Sequence, residues 1–374
     1  MTGFFDTHGI AIGERCATPF CAANNNYQDG TTPMYRDAAG RLWAMSGHSH
    51  VGAVGVFAGT CLDDMKKLYD VELNFCVGSA EYAFDGVRYP EGVRARGSIW
   101  PFGLYICPST HRFFCLFHNE TGWSGRGTAY DAFGPCETPR GDSDFRHVGL
   151  MHSDDEGRTW SFDHWVLTAE QPCFTERYVP GAGAAPGQRF GDITLGSGDF
   201  SLYVEPNGEY MYIFYNIIHF DMARVAWNGC HVYAARARKR SDGMFGGFVK
   251  YYDGSFCESG TMGRETPIVL NAWHPRVVHA EKYGIYVMTS SSVTPGGEKL
   301  VDDIMAVRTS GNLLDWSEPR GVEYGGAPFG NHYLAMVRDG AQGQPNVIPG
   351  DEFSILSNHN GTDVIRYKAR FTEK

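Results

Sequence analysis

The sequence lacks the features that would point to a nucleic-acid, membrane or nucleotide partner. It has no run of Lys or Arg and no apolar stretch long enough to span a bilayer, and its formal net charge is −11. The chain does not begin with a basic segment followed by an apolar run, so we expect no signal peptide. The Gly-rich stretch at 181–187 lacks the Lys and the strand–turn–helix setting of a phosphate loop. We therefore expect no cofactor.

Cysteine pairs with metal-site or redox-site spacing are also missing. None of the ten cysteines forms a Cys-x-x-Cys pair. Several of them, such as Cys107 and Cys115, lie within apolar, strand-like runs. A domain of this size does not need a disulfide framework, so we expect buried free thiols in a reducing cytoplasm.

Helical periodicity is weak along nearly the whole chain, whereas strand patterns recur. The 374 residues include 47 Gly and 14% aromatics, and short aromatic-rich segments are bounded by Gly, Pro, Asn and Asp. A strand–turn–strand pattern starts near residues 29, 100, 198, 274 and 331, and a second strand pair follows each copy. Two hairpins make one blade, so the sequence predicts an all-β, five-bladed β-propeller with four-stranded antiparallel blades in one domain, 1–374.

The fifth repeat is one strand short. A segment near residues 8–12, His-Gly-Ile-Ala-Ile, has a strand pattern and is expected to complete the last blade and close the ring. The alternative is a β-sandwich or another mixed-β protein whose hairpins do not form a ring.

Residues 153–160 match the pattern Ser-x-Asp-x-Gly-x-Thr-Trp at every specified position. The pattern predicts a hairpin turn in which Asp155 caps backbone N–H groups, Gly157 takes a positive φ and Trp160 packs between neighbouring sheets. It resembles the Asp box of sialidases and of other β-propeller proteins that act on carbohydrates. Such a turn lies on the outer rim, so its own Asp residues are not expected to be catalytic.

The innermost strand of each propeller blade begins at the central axis, so the residues just before the first strands should converge. The repeats place five side chains there: Asp29, Trp100, Asp199, His274 and His332. Glu120 ends an aromatic-rich strand and is a candidate general acid, although it could instead form a salt bridge with Arg88, Arg94 or Arg96. Acidic side chains are seldom buried without a partner or a function, so we expect the converging residues to form a functional site at the axis.

A five-bladed propeller with these axial carboxylates resembles the arabinanase and furanosidase type of glycoside hydrolase. The resemblance implies that Asp29 is the general base, Glu120 the general acid and Asp199 the residue that adjusts the acid's pKa. The order departs from that family, in which the Glu comes from the third blade, so Asp199 could instead be the counterpart of the acid. The arginine triad of sialidases is not clearly present, although Arg36, Arg94 and Arg276 could be recruited.

The expected substrate is an oligosaccharide. Aromatic rings pack on apolar sugar faces, and imidazole and guanidinium groups bind hydroxyl and carboxylate oxygens. The predicted substrate-binding residues are His48, His50, Trp100, His118, Trp273, His274, His332 and Arg94. The His-x-His pair at 48 and 50 is too weak a signal to predict a metal. Homo-oligomerisation is left open.

Two other functions fit the same residues. A polysaccharide lyase would use His274 or His332 with a Tyr as base and acid, and Arg94 or Arg276 to neutralise a uronate carboxylate. A glycan-binding propeller without catalysis would keep its fold after loss of every axial carboxylate.

Overall fold

The computed structural model describes residues 3–24, 28–48, 51–73, 98–120, 146–168, 192–206, 208–221, 226–292, 304–359 and 363–374. Nearly all regular structure in these residues is β-strand. The one α-helix described, α1, is a single turn at Phe4–Thr7, and short 3-10 turns occur at Ala22–Asn24 and Glu281–Tyr283. None of the described helices is long and apolar enough to cross a membrane.

The chain begins with strand β1 at His8–Cys16. Blade 1 then contains β2 at Met34–Arg36, β3 at Leu42–His48, β4 at Val51–Gly59 and β5 at Lys66–Val71. Blade 2 contains β6 at Ser98–Ile106, β7 at Phe113–Glu120, β8 at Arg146–Ser153 and β9 at Ser161–Leu167. Within each blade, consecutive strands pair antiparallel.

Blade 3 has the longest strands: β10 at Asp192–Val204, β11 at Tyr210–Asp221 and β12 at Ala226–Arg238, followed by β13 at Val249–Tyr252 and β14 at Ser255–Ser259. Blade 4 contains β15 at Ala272–Ala280, β16 at Ile285–Ser292, β17 at Met305–Ser310 and β18 at Arg320–Gly321. A small hairpin follows, with β19 at Glu323–Tyr324 and β20 at Ala327–Pro328. The chain ends with β21 at His332–Val337, β22 at Val347–Ile348, β23 at Glu352–His359 and β24 at Asp363–Glu373.

Hydrophobic clusters fill the seams between successive blades and join blade 5 back to blade 1. Side chains alternate between the two faces of a strand, so successive residues of an inner strand pack against the blades on either side. In β15, Val277 packs in the cluster shared with blade 3, and Val278 packs in the cluster shared with blade 5. At the closing seam, Met34 of blade 1 packs in one cluster with Val337 of blade 5. The all-β, propeller-type prediction is confirmed.

Blade 5 is completed by the first strand of the chain. β1 pairs antiparallel with β24, from His8 opposite Glu373 to Cys16 opposite Arg366, and the blade runs in the order β1, β24, β23, β21. The prediction that the N-terminal strand supplies the missing strand is confirmed, and β1 extends a few residues beyond the predicted segment.

A buried arginine also holds the closing seam. The Arg36 guanidinium of blade 1 donates to the carbonyl oxygens of Gly340 and Gly343 from blade 5, at 3.0 and 2.8 Å. It also donates to Gly40 and Thr60 of its own blade, each at 2.8 Å. We call this arrangement the Arg36 clamp. It occupies Arg36 fully, so Arg36 is not recruited to bind substrate.

The turn at residues 153–160 has the geometry that its pattern predicts. Asp155 Oδ1 accepts from the backbone N–H groups of Arg158 and Thr159, at 3.0 and 2.9 Å. Gly157 has φ +84°, and Trp160 packs in the cluster between blades 1 and 2. Partial burial would raise the pKa of Asp155, but the hydrogen bonds from Thr159, Ser153 and Arg158 outweigh it and lower the pKa to about 2. The turn therefore acts structurally, on the outside of blade 2.

Asp155→Ala is expected to lower the free energy of unfolding by about 1–2 kcal/mol, because it removes a carboxylate that caps two backbone donors. Urea unfolding monitored by tryptophan fluorescence would measure the loss. The neighbouring Asp154→Ala is the control, since the Asp154 side chain is 61% exposed and only pairs with Arg112. Equal effects of the two substitutions would contradict the capping role.

All seven cysteines in the described ranges are free thiols, as predicted, but only Cys107, Cys115 and Cys230 of them are buried.

Candidate functional site

In three inner strands, one residue each has a left-handed backbone conformation that turns its side chain toward the axis. Asp199, His274 and Tyr333 have φ values of 43°, 53° and 49°, in the left-handed region that non-glycine residues avoid. In β10, β15 and β21 the strand pairing shifts across these residues, as at a β-bulge. Such conformations cost on the order of 1–3 kcal/mol each and concentrate at functional sites. The repeated left-handed conformation indicates that the side chains at these positions have a functional role.

Glu120, at the end of β7, is held by two donors through one oxygen. Glu120 Oε1 lies 3.0 Å from His118 Nε2 and 3.1 Å from Arg146 Nε. Burial would raise the pKa of the carboxyl, but the Arg146 guanidinium and the His118 hydrogen bond lower it. Glu120 is therefore ionised. The structure gives it an arginine partner, but that partner is Arg146; Arg88, Arg94 and Arg96 lie outside the described residues.

Asp199 is buried, with 4% of its surface exposed, and both of its oxygens are occupied. Trp273 Nε1 donates to Oδ2 and the Tyr333 hydroxyl donates to Oδ1, each at 3.0 Å, and Arg146 Nε lies 3.8 Å from Oδ2. Burial would raise the pKa of Asp199, but the Arg146 guanidinium and the Trp273 hydrogen bond hold it well below the usual range. Asp199 is thus a fixed negative charge at the centre of the network.

The hydrogen bonds of His118 determine which of its ring nitrogens carries the proton. The backbone N–H of Asp199 donates to His118 Nδ1 at 2.9 Å, so Nδ1 carries no proton. The proton of the ring is then on Nε2, from which it is donated to Glu120. His118 is neutral in this arrangement, and Arg146 supplies the positive charge between the two carboxylates.

The tautomer of His118 also determines whether this residue can bind a metal. Within the described ranges, His118, Glu120 and Asp199 form a group whose ligand atoms lie within 4.8 Å of one another. A metal ligand needs a free nitrogen lone pair, but Nδ1 accepts the Asp199 N–H and Nε2 carries the proton. With Arg146 placed between the carboxylates, the residues fit an ion-paired network and not a metal centre.

Asp29, just before the first inner strand, differs from the other two carboxyl groups. It makes no hydrogen bond or ion pair with any residue that the structure describes. Asp29 is exposed to solvent, although protein groups surround its carboxyl group. Desolvation by those groups and repulsion from Glu120 and Asp199 raise its pKa to about 6. Asp29 is the carboxyl of the three that is most easily protonated.

The predicted aromatic and histidine ligands surround this network, and most of them are buried. Trp100 stacks on His48, with ring centroids 5.0 Å apart, and contacts His118 edge-on at 5.4 Å. His274 stacks on Tyr333 at 3.7 Å and lies 5.7 Å from His332. Trp100 and Trp273 are 5% and 7% exposed, so their rings mainly hold site residues in place.

His274 is the most unusual of the site histidines. It is 3% exposed, and neither of its ring nitrogens has a hydrogen-bond partner among the described residues. Burial lowers its pKa to about 3, so the ring is neutral at physiological pH. A neutral imidazole can both donate to and accept from a hydroxyl group, as sugar recognition needs.

The structure therefore brings together nine of the eleven predicted site residues. The other two, His50 and Arg94, lie outside the described residues, so their predicted roles stay predictions. Trp43 is fully buried in the core and its indole N–H donates to Asp37 at 2.8 Å, so its ring cannot stack on a sugar. Arg276 is also buried, with 6% of its surface exposed.

Sequence reasoning missed two members of the network, Arg146 and Tyr333. The repeat alignment placed His332 at the axial position of blade 5, but Tyr333 occupies the left-handed position there, one residue further along. Arg146 begins β8 and is the only described cation paired with Glu120 and Asp199.

A signal for the axial network was nevertheless present in the second strands. His118, Asn216 and Asn358 are buried polar residues in the second strands of their blades, and each contacts the axial segment of the next blade. His118 accepts from Asp199 N, Asn216 Oδ1 accepts from His274 N at 2.8 Å, and Asn358 Nδ2 donates to Gln28 O at 2.6 Å. A buried polar residue at one repeat position thus marks the strand segment that leads to the axis.

Asp199→Asn is expected to lower the free energy of unfolding by about 2 kcal/mol at pH 7, because it removes a buried charge that Arg146 and two donors stabilise. The pKa of Asp199 is lowered in the folded state, so its stabilising effect is present above the unfolded pKa of about 4 and is lost as the pH falls below it. The difference in Tm between wild type and variant should therefore shrink below about pH 4.

Asp253→Asn is the matched control for that comparison, because Asp253 also has a left-handed backbone, with φ 45°, but is exposed. Thermal unfolding followed by circular dichroism from pH 7 to pH 2 would measure both variants. A difference in Tm that does not depend on pH would contradict the assignment of Asp199 as an ionised group.

The similarity of this chain to known proteins is low. No protein-family model and no curated protein matches the chain. Among solved structures, an exo-β-1,3-galactanase from Phanerochaete chrysosporium matches 96% of this chain at 11% identity, with a TM-score of 0.47, and the chain spans 64% of that protein. A family 117 glycoside hydrolase from Zobellia galactanivorans matches 98% of this chain and 90% of its own, at 7% identity and TM-score 0.49.

An α-L-arabinanase from Penicillium chrysogenum, solved with arabinobiose, matches 99% of this chain and 98% of its own, at 11% identity and TM-score 0.44. These similar structures are glycoside hydrolases, the class that the sequence resembles.

Proposed function

We propose that the protein is a glycoside hydrolase that cleaves an oligosaccharide, with furanosides preferred. The convergence of Asp29, Glu120 and Asp199 at the propeller axis carries this proposal. Hydrolysis of a glycosidic bond needs one carboxyl group to protonate the leaving oxygen and a second, ionised carboxylate. Asp29 and Glu120 supply one exposed, easily protonated carboxyl and one held in the charged form.

The charge distribution favours hydrolysis over the lyase alternative. A lyase needs a cation that neutralises the substrate's uronate carboxylate. Arg146 already lies 3.1 Å from Glu120 and 3.8 Å from Asp199, and the three axial carboxyl groups would repel an anionic sugar. The described part of the site therefore fits a neutral glycan better than a uronate.

The site contains features that destabilise the fold, and this energetic cost favours catalysis over simple binding. Buried carboxylates and left-handed backbone at Asp199, His274 and Tyr333 each destabilise the fold unless they are compensated. A protein that only binds sugars gains little from an ionised Glu120 beside an easily protonated Asp29.

Incubation of the protein with arabinofuranose- and galactose-containing oligosaccharides, and with 4-nitrophenyl furanosides and pyranosides, tests the proposal. We expect new reducing ends or released nitrophenol with at least one of them, and no product from the Asp29→Asn/Glu120→Gln double variant. Ultraviolet absorbance of an unsaturated product from a uronate-containing glycan would instead establish the lyase. Saturable glycan binding without any product would establish a binding module.

A further inference from the structure

We infer that Asp29 is the proton donor and Glu120 the ionised catalytic base, with His118 and Arg146 as positioning residues for Glu120. This assignment rests on the proposed function and reverses the roles that the family resemblance implies for Asp29 and Glu120. It follows from which hydrogen-bond partners each carboxyl group has in the described residues.

The partners of Glu120 favour its charged form. His118 Nε2 can only donate to Glu120, because Nδ1 of the same ring already accepts the Asp199 N–H. Arg146 Nε also donates to the same oxygen, Oε1. Neither neighbour can accept a proton from Glu120, so a protonated Glu120 would lose the ion pair and gain no hydrogen bond from these two residues. Oε2 accepts no hydrogen bond from any described residue and is left for water.

The surroundings of Asp29 favour its neutral form. No described donor contacts its carboxyl group, whereas Glu120 and Asp199 lie close enough for their negative charges to raise its pKa. Its exposure to solvent allows a leaving oxygen to reach it and lets water restore its proton afterwards. A proton donor needs both properties.

The reaction then balances without any other reagent. A water oxygen bonds to the anomeric carbon while the bond from that carbon to the leaving oxygen breaks. Glu120 takes one proton from the water, and Asp29 gives its proton to the leaving oxygen. The proton on Glu120 returns to Asp29 through solvent, and one water molecule is consumed per bond cleaved.

Protonation states distinguish the two assignments. With Asp29 as the donor, both groups are in the required form between the lowered pKa of Glu120 and the pKa of about 6 of Asp29. With the roles exchanged, Asp29 must be ionised while Glu120 is protonated. That requires a pH both above about 6 and below the range in which Glu120 ionises, so almost no molecules would be active.

The dependence on the leaving group tests the assignment. A 2,4-dinitrophenolate leaves without protonation, so we compare the natural glycan with the 2,4-dinitrophenyl glycoside of the sugar that the wild type releases. Asp29→Asn should keep kcat within about 10-fold of wild type on the dinitrophenyl glycoside and lose at least about 100-fold on the glycan. Glu120→Gln should lose at least about 100-fold on both substrates. The reversed pattern would overturn the assignment and leave the proposed function standing.

A second measurement needs no variant at Asp29 or Glu120. The kcat/KM of the wild type on the natural glycan should fall as the pH rises above about 6, whereas this alkaline limb should be absent on the dinitrophenyl glycoside, whose leaving group needs no proton. A wild type whose activity instead rises through pH 6 would overturn the assignment. A wild type that hydrolyses no glycoside would remove the proposed function, and with it this assignment.

The positioning roles have their own readout. His118→Asn should lower kcat by about 10-fold and raise the pH at which the acid limb of the profile begins, because Glu120 loses a donor that favours its charged form. A change in kcat without a shift of the acid limb would show that His118 is only structural.

Discussion

Asp29→Asn and Glu120→Gln are each expected to lower kcat on the natural glycan by about 1,000-fold, with the fold intact. A positioned acid or base contributes roughly 100- to 10,000-fold, and both groups act in the same step. The two losses should not add in the double variant, because residues that act as one unit fail together. Rates of product formation for the three variants, with circular dichroism spectra to confirm folding, would measure this.

The stability of the Asp29→Asn variant tests whether the pKa of Asp29 is raised in the folded protein. The pKa of Asp29 is raised in the folded protein, so its ionisation destabilises the fold as the pH rises from about 4 through about 6. The neutral amide removes this repulsion, and the variant should be slightly more stable than wild type at pH 7. Glu209→Gln is the control, since Glu209 is exposed and pairs only with Arg238 on the surface. Near-wild-type turnover of either axial variant would refute the site.

Arg36→Met is expected to lower the free energy of unfolding by about 3 kcal/mol, the largest stability loss among these variants. The methionine side chain fills much of the space but leaves four carbonyl oxygens without a donor, and each buried, unsatisfied group costs about 1–3 kcal/mol. Two of these carbonyls belong to the loop of blade 5, so the seam between the last and first blades is weakened directly.

Urea unfolding would measure the loss, and Arg240→Met is the matched control. Arg240 pairs with Asp242 on the surface and is 57% exposed, so its replacement should leave the free energy of unfolding nearly unchanged. Similar losses for the two arginines would mean that the Arg36 clamp does not hold the ring closed.

The fold was largely predictable from sequence because its parts are local. Hairpins need only alternating apolar residues and turn residues, and both recur in each repeat. The turn at 153–160 was predictable to the level of single hydrogen bonds, because its capping groups lie within eight residues. The pairing of β1 with β24 was also predicted, from the count of strands in the last repeat.

The candidate site was predictable only in part. Repeat spacing found Asp29, which precedes β2, and Asp199 and His274, which lie within β10 and β15. It placed His332 instead of Tyr333 at the axial position, because a β-bulge shifts the alternation by one residue and leaves no mark in the pattern. Arg146 belongs to a third strand, β8, and reaches Glu120 only through tertiary packing that no local spacing encodes.

The pairing of β1 with β24 has a consequence for how the chain folds during synthesis. In blades 1 to 4, consecutive strands that follow one another along the chain pair with each other, so these sheets can form as the chain emerges. Blade 5 needs residues 8–16 beside residues 366–373, which lie near opposite ends of the sequence. Until the last strand is made, β1 is an unpaired edge strand, free to pair with β24 of a second copy. Yield on refolding should therefore fall as protein concentration rises, because closure within one chain competes with exchange between chains.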